Sequence, residues 1–184
     1  MEYWDIYDRD KKPTGRTMKR NDWCLKDGEY HLTVLGVVAR PDHKFLITKR
    51  VMTKAWAPGC WEVSGGAAQA GEESREAVLR EVKEETGLLL TSYKFRGLIT
   101  FISDECEAEM MCLFTADGYT GELITCDEGE LEWVKKSDVP QLPTWEGDAQ
   151  FLKLLLEDEK RFFAMKLRYE GERLVEKSVE FCGG

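Results

Sequence analysis

The segment from Gly66 to Leu88 constrains the fold more than any other part of the chain. It reads as a loop that opens into a helix. Gly65, Gly66 and Gly71 supply the loop, and Glu72 and Glu73 suit the positive end of a helix dipole. Gly87 is a natural left-handed stop. At about 100° per residue, Val78, Leu79 and Val82 share one arc, while Glu81, Glu84 and Glu85 share the arc beside it. Carboxylates at these spacings repel one another by a few tenths of a kcal/mol per pair. A compensating charge is therefore expected. A hard divalent cation is the natural one, because Mg²⁺ takes oxygen ligands and is commonly held by one or two carboxylates plus substrate phosphates. The plain alternative is a solvated glutamate face paired with Arg80 and Lys83.

The bulk numbers narrow the function. A chain of 184 residues with 42% hydrophobic and 33% charged residues is sized for one domain with a sizeable core. Its formal net charge of −9 argues against broad attraction to nucleic acid or anionic membranes. An acidic protein that handles acidic phosphates needs a cation between the two. The six cysteines (Cys24, Cys60, Cys106, Cys112, Cys126 and Cys182) form no CxxC pair for zinc or redox chemistry. No secretory signal, transit peptide or membrane-length apolar run is visible. A cytoplasmic protein with reduced thiols is expected, acting on a small molecule, either alone or as a homodimer.

Alternating and apolar runs predict the remaining elements. Residues 3–17 read as a hairpin, residues 30–39 as a buried strand and residues 44–50 as a second strand. Residues 91–103 and 107–115 pair across the acidic turn Asp104-Glu105, and a strand covers 131–134. A helical turn over 135–139 is expected to end at Pro140. Asp148 is expected to cap a helix over 149–160, and residues 164–181 to close as a hairpin about Gly171. This gives an α/β domain with a mixed sheet between two helices. The expected boundaries are an N-terminal extension over 1–29 and the globular unit over 30–184.

Other residues carry weaker signals. Arg50 and Lys54, just upstream of the loop, are candidate phosphate contacts, with Lys49 beside them. Trp61 is read as core, and Trp56 as either core or a stacking surface. His31 is read as a locally hydrogen-bonded strand residue rather than a ligand. Glu128 and Glu130 precede a strand that can border the site, but neither is singled out as a base. Glu73, Glu76 and Lys83 are read as solvated surface.

Gly66, Glu72, Arg80-Glu81, Val82, Glu84-Glu85, Gly87 and Leu88 stand at the spacing of the Nudix box, and every defined position is met. The chain thus resembles the Nudix hydrolases, a resemblance that implies the mixed-sheet fold already read from the pattern. It also implies a metal-dependent hydrolase of diphosphate linkages. Glu81, Glu84 and Glu85 would bind Mg²⁺ or Mn²⁺ with help from Glu72 and the Gly66 carbonyl, and Arg80 would orient carboxylates. Glu84, Glu85 and Arg80 are the expected catalytic residues. The substrate class implied is a nucleoside diphosphate derivative, either a nucleotide or a nucleotide-sugar.

Looser matches near Tyr3–Tyr7, Tyr30-His31-Leu32, Thr48-Lys49-Arg50 and Gly59-Cys60-Trp61 are similar to the isopentenyl-diphosphate-isomerase-like branch. Those isomerases place a Cys-Gly-His after the second Trp. Here Trp61 leads into Glu62-Val63-Ser64-Gly65-Gly66, without Cys or His. Hydrolysis is favoured over isomerisation, and over a silent binding module, for which intact glutamates would be superfluous.

Overall fold

The computed structural model describes residues 1–54, 57–127 and 129–183. Trp56 and Glu128, both considered above, lie outside the described residues. Strands β1 (Tyr3–Tyr7), β2 (Pro13–Lys19), β3 (Tyr30–Arg40), β4 (Lys44–Arg50), β5 (Trp61–Glu62) and β6 (Ser64–Ala67) precede helix α1 (Ser74–Thr86). Then come β7 (Leu89–Ile102), β8 (Glu109–Thr120), β9 (Gly129–Lys135), a 3-10 turn (Val139–Gln141), α2 (Glu146–Leu156), β10 (Phe162–Glu170) and β11 (Arg173–Cys182). The main sheet runs β11-β10-β7-β8-β3-β1-β2. Its β3–β8 and β7–β10 pairs are parallel. The second arm, β9-β4-β5, is antiparallel.

The two helices cover opposite faces, and strand alternation decides which residues meet each one. Leu32, Val34 and Val38 of β3 join Met110, Cys112 and Phe114 of β8 under Ala77, Val78 and Val82 of α1. Val37 and Leu113 point the other way, joining Ile99, Phe163 and Leu167 against Phe151, Leu152 and Leu155 of α2. Burying Val78 and Val82 completely contributes about 1.5–2 kcal/mol each. Gly36 makes this close approach possible, since a Cβ there would lie 2.6 Å from Val82 Cγ2.

Local corrections have clear causes. Pro140 lies inside the 3-10 turn instead of ending it, because a missing N–H costs nothing in a first helical turn. Helix α2 begins earlier than expected, with Trp145 at its N-cap, so Asp148 sits within the helix and caps nothing. What holds that helix start is the Gly147 amide, which donates to the Tyr169 hydroxyl at 2.6 Å. Glu73 and Glu76 are not merely solvated, since Glu76 Oε2 accepts the Glu73 amide at 3.0 Å in a capping box at the head of α1. All six cysteines are free thiols, and no described helix is long and apolar enough to cross a membrane.

Candidate active site

The Gly66–Leu88 segment folds as strand β6, a turn and α1, which brings Glu72, Glu81 and Glu84 around the Arg80 guanidinium. The turn closes through the Glu72 amide on the Gln69 carbonyl at 2.9 Å, with Gly71 at φ 82°. Gly87, at φ 81°, ends α1 and donates to the Lys83 carbonyl at 2.9 Å.

Arg80 is the hub. Its Nε and Nη2 bind Glu72 bidentately at 2.9 and 2.8 Å. Its Nη1 reaches Glu81 Oε1 at 2.7 Å and Glu84 Oε2 at 3.4 Å, and Nη2 also donates to the Ala67 carbonyl at 3.1 Å. The repulsion anticipated along the helix is therefore offset first by a guanidinium. Burial works to raise the Glu72 pKa, but the Arg80 fork and the Gln69 amide outweigh it and hold the carboxyl below its usual range. Glu81 goes the other way. Burial raises it, Arg80 opposes, and the charges of Glu84 and Glu2 add to the rise.

The glycine at 66 lets a carboxylate lie against backbone. A Cβ on Gly66 would stand 2.5 Å from Glu81 Cδ and 2.6 Å from each of its oxygens. Glu85 Oε2 accepts the Gly65 amide at 3.2 Å. Glu84 faces solvent, with 61% of its side chain exposed against 15% for Glu81. Among the described residues, no three acidic, imidazole or thiol side chains lie together so as to hold a metal ion by themselves. The oxygen-only donor set and the Gly66 cradle nevertheless fit a hard cation that draws its remaining ligands from water and substrate phosphate.

The other candidates fall elsewhere. Arg50, at the end of β4, directs Nη1 to both oxygens of Glu62 at 2.8 and 2.9 Å. Lys54 is half-buried in the following turn, its amide donating to the Val51 carbonyl at 3.2 Å. Trp61 packs against the α2-side core, with Lys49 Nζ 5.9 Å from its ring centre. Glu130 is exposed on β9. His31 is buried and stacks on Trp4 at 4.3 Å, and its Nδ1 has no hydrogen-bond partner among the described residues, unlike the local hydrogen bonding expected.

A second polar cluster escaped the sequence reading. Asp148 of α2 lies in the field of Glu62, Glu109 and Arg50, and burial followed by those two carboxylates pushes it up to about 7 against the pull of Arg50. Burial also pushes Glu109 up to about 7, opposed by the Thr33 hydroxyl, which donates to it at 3.0 Å. The available signal was Glu109 itself, a charge adjoining the apolar run Met110–Phe114.

A mixed sheet between two helices, with a glycine-cradled carboxylate helix at its edge, defines a Nudix fold. The NUDIX domain model matches residues 29–155, and the chain belongs to that family of hydrolases. It is 33% identical over 135 residues to the uncharacterised Nudix hydrolase YvcI of Bacillus subtilis, covering 71% of this chain and 82% of that protein. It is 30% identical over 145 residues to an oxidised purine nucleoside triphosphate hydrolase of Danio rerio, covering 78% and 90%. The mutator MutT protein of Bacillus halodurans superposes with a TM-score of 0.72 at 28% identity, over 81% of this chain and 97% of that one.

Proposed function

We propose that the protein hydrolyses a diphosphate linkage in a nucleotide or nucleotide-sugar, using Mg²⁺ or Mn²⁺ held at the α1 carboxylates. The observation that carries this reading is the Arg80 hub, which fixes Glu72, Glu81 and Glu84 around one point beside the Gly66 cradle. Glu81, Glu84 and Glu85 would hold the cation, with Glu72 and the Gly66 carbonyl in support. The cation would supply Lewis-acid charge and acidify a water molecule. Arg80 keeps the carboxylates in place, and Glu84 or Glu85 takes the proton as the attacking water is deprotonated. Arg50 and Lys54 would meet the substrate phosphates, Arg50 from its place beside Glu62 at the end of β4.

The Danio rerio relative is named for oxidised purine nucleoside triphosphates, so nucleotides head the screen. The enzyme would act in the cytoplasm, with no nucleic-acid or membrane partner, either alone or as a homodimer, which sedimentation would distinguish.

The test is phosphate or nucleotide release from a panel of nucleotides and nucleotide-sugars with Mg²⁺ or Mn²⁺. Activity should disappear in EDTA and return with the metal. No release across the panel, or a rate indifferent to chelation, overturns the reading.

A further inference from the structure

We propose that the β1–β2 hairpin braces the active-site loop, with Asp5 as the positioning residue through which it acts. The catalytic part of this inference rests on the hydrolase reading above. The hairpin lies outside the residues matched by the family model. Its own side chains secure it to the sheet without help from the loop. Trp4, Ile6 and Met18 are buried together, Trp4 stacks on His31, and Ile6 pairs with His31 in register. Lys11, at the hairpin turn, donates to Thr100 Oγ1 at 3.1 Å and sits 4.1 Å over the Tyr30 ring.

Two remaining contacts point from this anchored strand to the loop. The Tyr3 carbonyl accepts the Ala70 amide at 2.8 Å, and Asp5 Oδ2 accepts the Gly71 amide at 2.7 Å. Both contacts fall where the loop has little packing of its own. Gln69, Ala70 and Gly71 are exposed, and a Cβ on Gly71 would find nothing within 4 Å. The residue after Gly71 is Glu72, whose two oxygens receive the Arg80 fork, and Arg80 in turn holds Glu81 and Glu84. A rigid strand therefore fixes Gly71, Gly71 fixes the start of Glu72, and Glu72 fixes the guanidinium that orders the carboxylates. A carboxylate on a backbone N–H is a charge-assisted contact, stronger and shorter than a neutral one. Asp5 also lies far enough from the carboxylate arc in this relay to have no contact with Glu81, Glu84 or Glu85 among those described.

The experiment compares Asp5→Ala and Asp5→Asn with the parent in the full chain. It measures kcat and KM, thermal midpoint, hydrogen exchange of the Gly71 amide and exchange of the Arg80 Nε–H. In Asp5→Ala, Gly71 protection should fall at least tenfold and the Arg80 Nε–H should exchange faster. Its kcat should drop about 10- to 50-fold with KM within twofold, and the midpoint should move by no more than about 2 °C. Asp5→Asn keeps a carbonyl acceptor in place and should recover most of the protection and most of kcat. The brace is refuted if Asp5→Ala keeps kcat within twofold, if Ala and Asn lose equally, or if kcat falls while Gly71 protection is unchanged. If the parent cleaves no diphosphate, the hydrolase reading fails by itself. Loss and rescue of Gly71 and Arg80 protection still decide whether Asp5 braces the loop.

Discussion

Replacing Gly66 with Ala is the sharpest perturbation of this site. The residue has no positive φ, so its backbone accepts a Cβ without conformational strain. The new methyl would lie 2.5 Å from Glu81 Cδ and 2.6 Å from both oxygens. Ordinary contact requires about 3.5 Å between carbons, so Glu81 must retreat by close to 1 Å. Its 2.7 Å bond to Arg80 cannot survive that shift unchanged. A displacement of this size at a reacting centre costs about 100-fold in rate, or roughly 2.7 kcal/mol of barrier. Stability should change little, because the obstacle is the movable end of a side chain. Gly65→Ala provides the contrast, since its Cβ would meet the Val34 carbonyl oxygen at 2.2 Å, which is backbone in the central sheet. Steady-state kinetics and thermal melts on both variants would separate the two effects. Gly66→Ala should melt near the parent with kcat down about 100-fold, whereas Gly65→Ala should lose stability. Combining Gly66→Ala with Glu81→Gln should cost little more than Glu81→Gln alone. A Gly66→Ala enzyme with parental kcat, or full additivity in the double variant, would refute the cradle.

Arg80→Lys keeps the charge but loses the fork that binds Glu72 at two points, so kcat should fall at least tenfold, and parental kinetics would show the fork to be dispensable. Glu84→Gln and Glu85→Gln should each lower kcat by orders of magnitude in a folded protein, while Glu76→Gln retains the capping acceptor and should be nearly silent. Equal losses at all three would mean that the helix alone is being disturbed. Asp148 and Glu109 have folded pKa values of about 7, above their ordinary carboxylate values. The folded state therefore binds more protons from about pH 4 to pH 7, and stability falls as pH rises through that window. Asp148→Asn should gain roughly 1–3 kcal/mol relative to the parent between pH 5 and pH 8, at ~1.4 kcal/mol per tenfold change in proton affinity. Urea midpoints at the two pH values check this, and an equal parent–variant gap at both would disprove it. Burial holds His31 near 4, which removes stability as pH falls from 6.5 towards 4, so variants rather than the parent curve carry the comparison. Isopentenyl and dimethylallyl diphosphate should not interconvert in mass-resolved product analysis, because Ser64 and Gln69 are poor proton donors near neutral pH. Turnover there would show the proton chemistry to be misassigned.

The loop–helix junction was legible because its causes are local. Gly87 stops α1 by its own positive φ, and the spacing of Val78 and Val82 declares the buried face within four residues. The long strands were legible through their apolar runs, although β7 and β8 extend further at the ends nearest α1 and the loop after it. The short strands β5 and β6 were invisible because two residues, or four with two glycines among them, carry no alternation, and their pairing with β4 and β3 is set by tertiary contact. The same reason hid the Asp148–Glu109 cluster. Its members come from α2, β8 and β5, and no spacing in the chain relates them. Asp148 also looked like a cap, the common use of aspartate at a helix start, until Trp145 proved to occupy that position.

Arg80 explains how a folded site tolerates carboxylates that the helix alone would not. One guanidinium against Glu72, Glu81 and Glu84 leaves a net charge of −2 at the hub, with Glu85 close by on the Gly65 amide. The neutralisation is uneven. Glu72 receives the bidentate fork and is held ionised, while the long 3.4 Å contact leaves Glu84 largely to solvent. A divalent cation arriving here would meet charge that Arg80 has positioned but not cancelled. A second Arg in the cluster would cancel it and close the site, whereas no Arg would leave the carboxylates splayed by repulsion. The single Arg between these limits keeps the carboxylates ordered before any ligand binds, and ordering paid in advance is ordering that the transition state need not supply.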